Sequence, residues 1–329
     1  MRPGTIGLDV GGTKCWALVA LDDESVSAPP VFESRTPVVQ GRSGLADTLR
    51  RSLADTISAA KERGVDVRGV GVGLPGLVDS AGTLLFAPHL PGVEGLPVRV
   101  LLEDEFGIPV VADNDASLAA LAEFASVSES PGEVVMPRRL LMITFGTGIG
   151  GGFVYDGKIE GGAHGFSGEI GHMVVERNGL ACSCGRRGCW ETRASGNALG
   201  ALGRRRAASQ RAPGIVALAG GEVAAVRGEH VAAAARAGDP DALMLLAEWA
   251  DSVAVGLANL TNIIDPDCFV LGGGLADIAD LWLEGVRRRH GVHLNGAALR
   301  PRVEIRVAQL GSQAGAKGAA LAARGASRA

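Results

Sequence analysis

The sequence has little excess charge, no apolar leader and an odd number of cysteines, five, which does not suit a disulfide framework. Across 329 residues, 32 basic and 36 acidic side chains leave a net charge of −4. This charge gives the chain no attraction for a polyanion, so nucleic acid is a poor candidate partner. The first residues, MRPGTIGLDV, do not resemble a signal peptide, and no later apolar run is long enough to cross a bilayer. We therefore expect a cytoplasmic protein without a membrane partner.

The alternation of apolar segments predicts an α/β fold with two domains. Hydrophobic residues make up 47 % of the chain and charged residues 21 %, a globular balance in a chain too long for one core. Strand-like segments at 5–10, 67–73, 110–113, 140–145, 268–271 and 303–307 alternate with helical stripes at 45–63, 98–106, 115–124, 240–264 and 315–324. Asp239 and Pro240 are typical of an N-cap and a first helical position. Residues 210–227 are Ala/Gly-rich and predict a loop.

Three glycine-rich turns follow predicted strands and could bind a nucleotide. The first two could bind its phosphates, because glycine lets backbone N–H groups approach an anion, and the third could let the backbone approach its adenosine. Asp9, at the end of the first strand, could hold Mg²⁺ through water. The alternatives are a tight hairpin turn with a solvated lysine and a glycine bulge at a sheet corner. The candidate residues are Gly11, Gly12, Thr13 and Lys14 in the first turn, Gly146, Thr147 and Gly148 in the second, and Gly272, Gly273 and Gly274 in the third.

Asn114 and Asp115 follow a predicted strand, where α/β proteins gather their reactive groups. We expect Asp115 to be the general base of a phosphoryl transfer to an alcohol, since a carboxylate can accept the proton of the attacking hydroxyl. The alternative is that one of the two side chains only caps the helix that follows.

Three of the five cysteines, Cys182, Cys184 and Cys189, crowd together ten residues after His172. An odd number of cysteines does not suit a disulfide framework, whereas one imidazole and three thiolates complete a closed tetrahedral zinc site. With no open ligand position the zinc would be structural, and it would fix His172 so that the second ring nitrogen reaches a sugar oxygen. The alternative is that the cysteines are reduced and pack as small apolar side chains.

Glu169 and Glu191 flank this cluster along the sequence, and Glu169 lies three residues before His172. On one face of a helical turn, Glu169 and His172 could bind neighbouring hydroxyl groups of a sugar. Glu191 follows the last cysteine by two residues and could accept further hydroxyl hydrogen bonds. Without the cluster, a lone Glu and His would be read as surface residues.

These motifs, in this order, resemble the ROK family, particularly its bacterial glucokinases. The resemblance runs from residue 6 to about 323 and implies a two-domain, actin-like (ribonuclease H-like) ATPase fold with a cleft between the domains. It implies a smaller domain of residues 1–113 plus 312–329 and a larger, zinc-bearing domain of residues 114–311. It also implies ATP, Mg²⁺ and structural Zn²⁺ as cofactors, Gly76 and Asn114 as sugar contacts beside those above, and a homodimer or homotetramer.

The resemblance leaves more than one activity open. A glucose 6-kinase is the expected one, and the alternatives are a kinase for N-acetylmannosamine, N-acetylglucosamine, fructose or mannose, and a sugar-responsive regulator. Repressors of the family carry a helix-turn-helix before the kinase-like core, for which the sequence before Asp9 has no room. Three segments depart from the family pattern, at 88–93, 211–227 and 312–314.

Overall fold

The computed structural model describes residues 1–128 and 136–326. In these residues the strands are β1 (Arg2–Val10), β2 (Lys14–Leu21), β3 (Phe32–Pro37), β4 (Val65–Leu74), β5 (Leu77–Val78), β6 (Thr83–Phe86), β7 (Leu96–Pro97), β8 (Val110–Asn114), β9 (Arg139–Phe145), β10 (Ile149–Tyr155), β11 (Lys158–Ile159), β12 (Cys268–Gly272) and β13 (Glu304–Val307). The helices are α1 (Arg42–Glu62), α2 (Val98–Phe106), α3 (Asp115–Ser128), α4 (Glu191–Ala194), α5 (Gly196–Ala208), α6 (Pro213–Leu218), α7 (Gly228–Arg236), α8 (Pro240–Ile264), α9 (Ala279–His293) and α10 (Ala314–Ala326).

The chain divides into two compact units. The first contains Met1–Met142, Gly152–Gly168 and Gln309–Ala329, and the second contains Ile143–Gly151 and Glu169–Ala308. These bounds differ from the predicted ones because α3 packs along α10. The two helices approach so closely that a methyl group on Gly318 would lie 1.8 Å from the carbonyl oxygen of Leu118. The segment after residue 114 therefore belongs with the first unit.

The chain builds two five-stranded mixed sheets, in the orders β3-β2-β1-β4-β8 and β11-β10-β9-β12-β13. In the first sheet β1, β4 and β8 are parallel, and β2 pairs with β1 as an antiparallel hairpin. One face of this sheet buries Ile6, Leu8, Val70 and Val72 in a core shared with α1. The hairpin, which the sequence offered as an alternative for the first glycine turn, is present, and the predicted alternation of strands and helices is confirmed for β1, α1 and β4.

Helix α8 begins as the sequence predicts, because the carboxylate of Asp239 accepts a hydrogen bond from the backbone N–H of Ala242 and Pro240 is the first helical residue. The prediction that no apolar run is long enough to cross a bilayer was wrong for α8, which is long and apolar enough by length and composition alone. Its apolar face, including Trp249, Val253 and Leu257, is buried inside the second unit, as in the core helix of a globular domain. The predicted loop at 210–227 was also wrong, since it contains α6.

Candidate active site

In the first unit, three parallel strands end at one edge of the sheet. Asp9 of β1 pairs with Gly73 of β4, and Gly73 pairs with Asp113 of β8. Asn114 ends β8 and Asp115 begins α3. Because the carboxyl ends of parallel strands gather functional groups, this register brings Asp9 and Asp115 to the same edge.

Gly73 lies next to both Asp9 and Asp115 and leaves little room for a side chain. A methyl group at this position would lie 3.3 Å from Oδ1 of Asp9 and 3.5 Å from Cα of Asp115. Burial, and to a smaller extent the negative charge of Asp115, raises the pKa of Asp9 to about 7. The first turn of α10 also approaches Asp9, where a methyl group on Gly315 would lie 2.7 Å from the carboxylate. Two neighbouring carboxylates of this kind attract a cation.

The turn between β1 and β2 has the open backbone that the sequence predicts. The N–H of Gly11 donates to the carbonyl oxygen of Lys14 at 2.8 Å, which closes the turn. The side chains of Thr13 and Lys14 are exposed. Gly12 faces His89, whose Cβ would be 3.7 Å from a methyl group there. The turn can offer a hydroxyl and a cation to an anion, and its phosphate role stays a prediction.

Asn114 does cap α3, as the alternative reading of this segment held. Its Oδ1 accepts hydrogen bonds from the backbone N–H groups of Ala116 (2.9 Å) and Ser117 (3.1 Å). Its Nδ2 donates to the carbonyl oxygen of Gly76 at 3.0 Å. Gly76 has φ +100°, and a methyl group there would lie 2.2 Å from the carbonyl oxygen of Phe86. The helix cap and the glycine loop are thus tied together, with one amide hydrogen of Asn114 left for a ligand.

In the second unit, the turn between β9 and β10 borders a cavity of about 740 Å³. Of the predicted nucleotide residues, Gly146, Thr147 and Gly274 line it, whereas Gly148, Gly272 and Gly273 are not among its lining residues. Gly273 has φ +84°, and a methyl group on it would lie 2.5 Å from the carbonyl oxygen of Phe145. The second and third glycine turns therefore meet within this unit. A larger cavity of about 840 Å³, along α9 and β13, contains no predicted site residue.

Three side chains with hydroxyl-binding chemistry converge at a short 3-10 helix, Ile170–His172. Nε2 of His172 lies 3.7 Å from Oε2 of Glu169, and Nδ1 lies 3.8 Å from Oε1 of Glu191. Burial raises the pKa of Glu169. Oε2 of Glu191 is so close to the second glycine turn that a methyl group on Gly148 would lie 2.6 Å from it. Glu169, His172 and Glu191 thus form one polar cluster that adjoins the glycine turn.

The predicted metal ligands come together in the same unit. The ligand atoms of His172, Cys182, Cys184 and Cys189 all lie within 4.8 Å of one another. Sγ of Cys184 and Sγ of Cys189 are 3.6 Å apart, and Nδ1 of His172 is 3.7 Å from Sγ of Cys182. A tetrahedral zinc with Zn–S bonds of about 2.3 Å separates its ligand atoms by about 3.5–4 Å, so the four residues fit this metal.

Glycines shape the loop that carries these ligands. Gly185 (φ +84°) and Gly188 (φ +76°) both adopt left-handed backbone conformations, as the predicted turn between ligands requires. A methyl group on Gly188 would lie 1.7 Å from the carbonyl oxygen of Glu176. The N–H of Cys182 donates to the carbonyl oxygen of Arg186 at 2.8 Å. The loop can therefore present three thiolates to one point.

The sequence reasoning missed one wall of the cavity in the second unit. This wall is α7 with the residue before it, and it contributes Arg227, Gly228, Glu229, Ala232, Ala233 and Arg236. Gly196 and Asn197 at the start of α5 line the same cavity. An Ala-rich helix carries no motif of its own, so only the three-dimensional structure places it here. The approach of Gly73 and Gly315 to Asp9 was also missed, because these residues are far from Asp9 in the sequence.

Comparisons with known proteins agree with this geometry. The family model described as "ROK family" matches residues 5–326. A glucokinase of Streptomyces coelicolor is 37 % identical over 97 % of both chains, and an N-acetylmannosamine kinase of Citrobacter koseri is 32 % identical over 98 % of this chain and 99 % of its own. A ROK family glucokinase from Streptomyces griseus, solved in complex with glucose and AMPPNP, superposes with a TM-score of 0.82 at 36 % identity, covering 98 % of this chain and 99 % of its own.

The structural match confirms the predicted α/β architecture, a two-domain actin-like ATPase fold. The sequence match extends over almost the whole chain and includes both units. The chain therefore belongs to the ROK family.

Proposed function

We propose that this chain is an ATP-dependent glucokinase, which transfers the γ-phosphoryl group of Mg·ATP to the 6-hydroxyl of glucose. One observation carries the proposal: hydroxyl-binding side chains adjoin a glycine turn that borders a nucleotide-sized cavity. Glu169, His172 and Glu191 form the polar cluster, and Glu191 contacts the turn at Gly148. A phosphotransferase needs both a polyol site and a phosphate site, and this unit offers the two side by side.

The nucleotide is assigned to the cavity of the second unit. The turn of Gly146, Thr147 and Gly148 is assigned to the phosphates, with the backbone N–H groups of Thr147 and Gly148 as the donors, since the N–H of Gly146 donates to the carbonyl oxygen of Gly148. Gly272, Gly273 and Gly274 let the backbone approach the nucleoside. Ala232 and Ala233 supply an apolar wall, as a purine requires. From the first unit, the turn Gly11, Gly12, Thr13 and Lys14 is assigned to the terminal phosphates, where the exposed lysine can neutralise charge.

Asp115 is assigned as the general base. In the proposed step the 6-hydroxyl oxygen forms a bond to the γ-phosphorus, the bond from that phosphorus to the bridging oxygen of ADP breaks, and the hydroxyl proton passes to the Asp115 carboxylate. Phosphoryl transfer proceeds through a loose transition state, so an Asp of ordinary basicity suffices. Asp9 would bind Mg²⁺ through water, and the cation, when bound, neutralises charge on the phosphates.

The sugar is assigned to side chains that accept hydrogen bonds and side chains that donate them. Glu169 and Glu191 accept hydrogen bonds from hydroxyl groups, and His172 donates one from Nε2, which faces Glu169. Asn114 adds its remaining amide hydrogen, and Gly76 a backbone contact. The structural Zn²⁺ would be held by His172, Cys182, Cys184 and Cys189 and would supply rigidity, since four protein ligands leave it no position for water.

A second candidate is an N-acetylmannosamine kinase, which the relative from Citrobacter koseri favours. The deciding experiment measures ADP release with glucose, mannose, fructose, N-acetylmannosamine and N-acetylglucosamine, using ATP and then polyphosphate as donor. We expect the highest kcat/KM with glucose and ATP, and glucose 6-phosphate as the product in phosphorus NMR. A higher kcat/KM with an N-acetylhexosamine would overturn the glucose assignment.

Three further properties complete the proposal. The product would enter carbohydrate metabolism through glycolysis. We infer a cytoplasmic enzyme, because its substrates are cytoplasmic metabolites. We also infer a homodimer or homotetramer, the assembly implied by the family resemblance, and light scattering coupled to size-exclusion chromatography tests it directly.

A further inference from the structure

Three of the four tryptophans of the chain surround one phenylalanine in the second unit. The ring centroid of Phe145 lies 6.1 Å from that of Trp190, 5.5 Å from Trp249 and 6.3 Å from Trp282, each in an edge-to-face arrangement. Trp249 and Trp282 also contact each other at 5.4 Å. We call these four residues the tryptophan cluster; all are at most 2 % exposed. Only 4 % of the chain is aromatic, so the concentration of rings here is notable.

Two indole groups of the tryptophan cluster hold the walls of the nucleotide cavity. Nε1 of Trp282 donates to the carbonyl oxygen of Leu275 at 3.0 Å, and Leu275 lines the cavity. Nε1 of Trp249 donates to the carbonyl oxygen of Ser195 at 3.1 Å, next to Gly196, which also lines the cavity. Phe145 itself lines the cavity. A buried indole N–H without its carbonyl is costly, so these bonds fix the backbone of the lining at Ser195 and Leu275.

The third indole holds the sugar side. Trp190 lies between the metal ligand Cys189 and the sugar residue Glu191 in the sequence, and its Nε1 donates to the carbonyl oxygen of Ser252 at 2.8 Å. Its ring packs flat against α8, where a methyl group on Gly256 would lie 2.0 Å from Cε2. The position of Trp190 is therefore set by the helix rather than by the metal loop alone.

We propose that the tryptophan cluster positions both substrate sites of the second unit, with Trp249 and Trp282 acting on the nucleotide walls and Trp190 acting on Glu191. The proposal rests on the proposed function, because it assigns the cavity to ATP and Glu191 to the sugar. Each tryptophan is a positioning residue that acts through a backbone carbonyl or a neighbouring side chain. Because Trp249 and Trp282 donate to carbonyl groups beside the cavity and Trp190 donates to Ser252 in α8, the effects on the two substrate sites are separable.

Three variants, Trp190→Phe, Trp249→Phe and Trp282→Phe, each keep an aromatic ring and remove one N–H donor. For Trp249→Phe and Trp282→Phe we expect the KM for ATP to rise about 3- to 10-fold, the loss expected for one hydrogen bond, with the KM for glucose changed less than about twofold. For Trp190→Phe we expect the reverse pattern. A packing role alone would lower the melting temperature without separating the two KM values, and that result would overturn the proposal.

A second measurement does not depend on the stability of these variants. Trp16→Phe removes the one tryptophan outside the cluster, which lies in β2 of the first unit. In this variant we expect a nonhydrolysable ATP analogue and glucose each to change the tryptophan emission saturably. Emission that responds to neither ligand, while calorimetry shows that both bind, would overturn the proposal. A wild-type protein that phosphorylates no hexose would instead remove the proposed function, so the two failures are distinct.

Discussion

The first unit seats helix α10 on its sheet through close main-chain contacts, whereas the second unit adds a cluster of large aromatic rings to the close main-chain contacts of its loops. In the first, α10 lies so close to the sheet that a methyl group on Gly7 or Gly71 would come within 1.9 Å of the carbonyl oxygen of Ala316 or Ala319. In the second, Phe145 packs among tryptophans at centroid distances of 5.5 to 6.3 Å. A helix seated on glycines has no room for an added methyl group, whereas a smaller ring in the aromatic cluster leaves a cavity instead of a clash.

The proposed function gives the two units different work: Asp115 of the first unit is assigned the proton chemistry, and Glu169, His172 and Glu191 of the second are assigned to the sugar. The variant Asp115→Asn should remove the proton chemistry and leave the binding of sugar intact. It keeps an acceptor oxygen for the N–H of Ala116, which Oδ1 of Asp115 now receives at 2.8 Å, so we expect a folded protein. We expect kcat to fall about 10²- to 10⁴-fold with little change in glucose affinity by calorimetry.

The matched control for this variant is Asp66→Asn, at a surface aspartate of the same unit that pairs with Arg68. It should keep wild-type kcat. If Asp115→Asn retained a near-normal kcat, the base would have to be another group, and the division of work between the units would fail.

Gly71→Ala tests the main-chain contacts of the first unit. The added methyl group would lie 1.9 Å from the carbonyl oxygen of Ala319. Both atoms belong to or are attached directly to the main chain, of β4 and of α10, so no side-chain rotation can relieve the clash. We expect the free energy of unfolding to drop by about 2–4 kcal/mol, measured by urea denaturation.

Gly291→Ala in α9 is the control, because a methyl group there meets no atom within 4 Å. In a helix interior this change should be neutral or stabilise by about 0.4–1 kcal/mol. Equal destabilisation by both variants would show that α10 is not seated as tightly as the glycines indicate.

Cys184→Ser tests whether the second unit also relies on a metal. We expect zinc, measured by elemental analysis, to be lost and the KM for glucose to rise about 10- to 100-fold, because His172 and Glu191 are then no longer fixed. The control is Cys268→Ala, because Cys268 is a buried cysteine in β12 and is not one of the four predicted metal ligands. This variant should keep the zinc. A zinc-free Cys184→Ser protein that bound glucose normally would mean that the tryptophan cluster alone positions the sugar residues.

The same contrast explains which features the sequence could predict. Motifs that act through neighbouring residues were found: the Gly11–Gly12 hairpin turn, the Asp239 cap of α8, and the one histidine and three cysteines that the structure brings together. Features made by residues far apart in sequence were missed. Gly315 approaches Asp9, and α7 walls the cavity beside Gly146, but neither pairing leaves a local signal. Helix α6 is only six residues long and Ala/Gly-rich, so its pattern was taken for a loop.

The last prediction concerns Asp9, which is buried where the first turn of α10 approaches the sheet. Burial first, and the charge of Asp115 second, raises its pKa from 3.8 to about 7. Between these two values the folded state keeps a proton that the unfolded state releases, so Asp9 makes the free energy of unfolding fall as the pH rises, with the full cost present above about pH 7.

Asp9→Asn removes this cost because the amide has the same shape and does not ionise. Without Mg²⁺ or nucleotide, we expect the variant and the wild type to be equally stable near about pH 4, and the variant to be more stable by about 1–3 kcal/mol near about pH 8. The variant should lose most of its phosphoryl transfer, since it can no longer attract Mg²⁺. Chemical denaturation at several pH values gives the measurement. A stability difference that does not vary with pH would show that Asp9 titrates normally, and the close seating of α10 would then have no electrostatic consequence at this edge of the sheet.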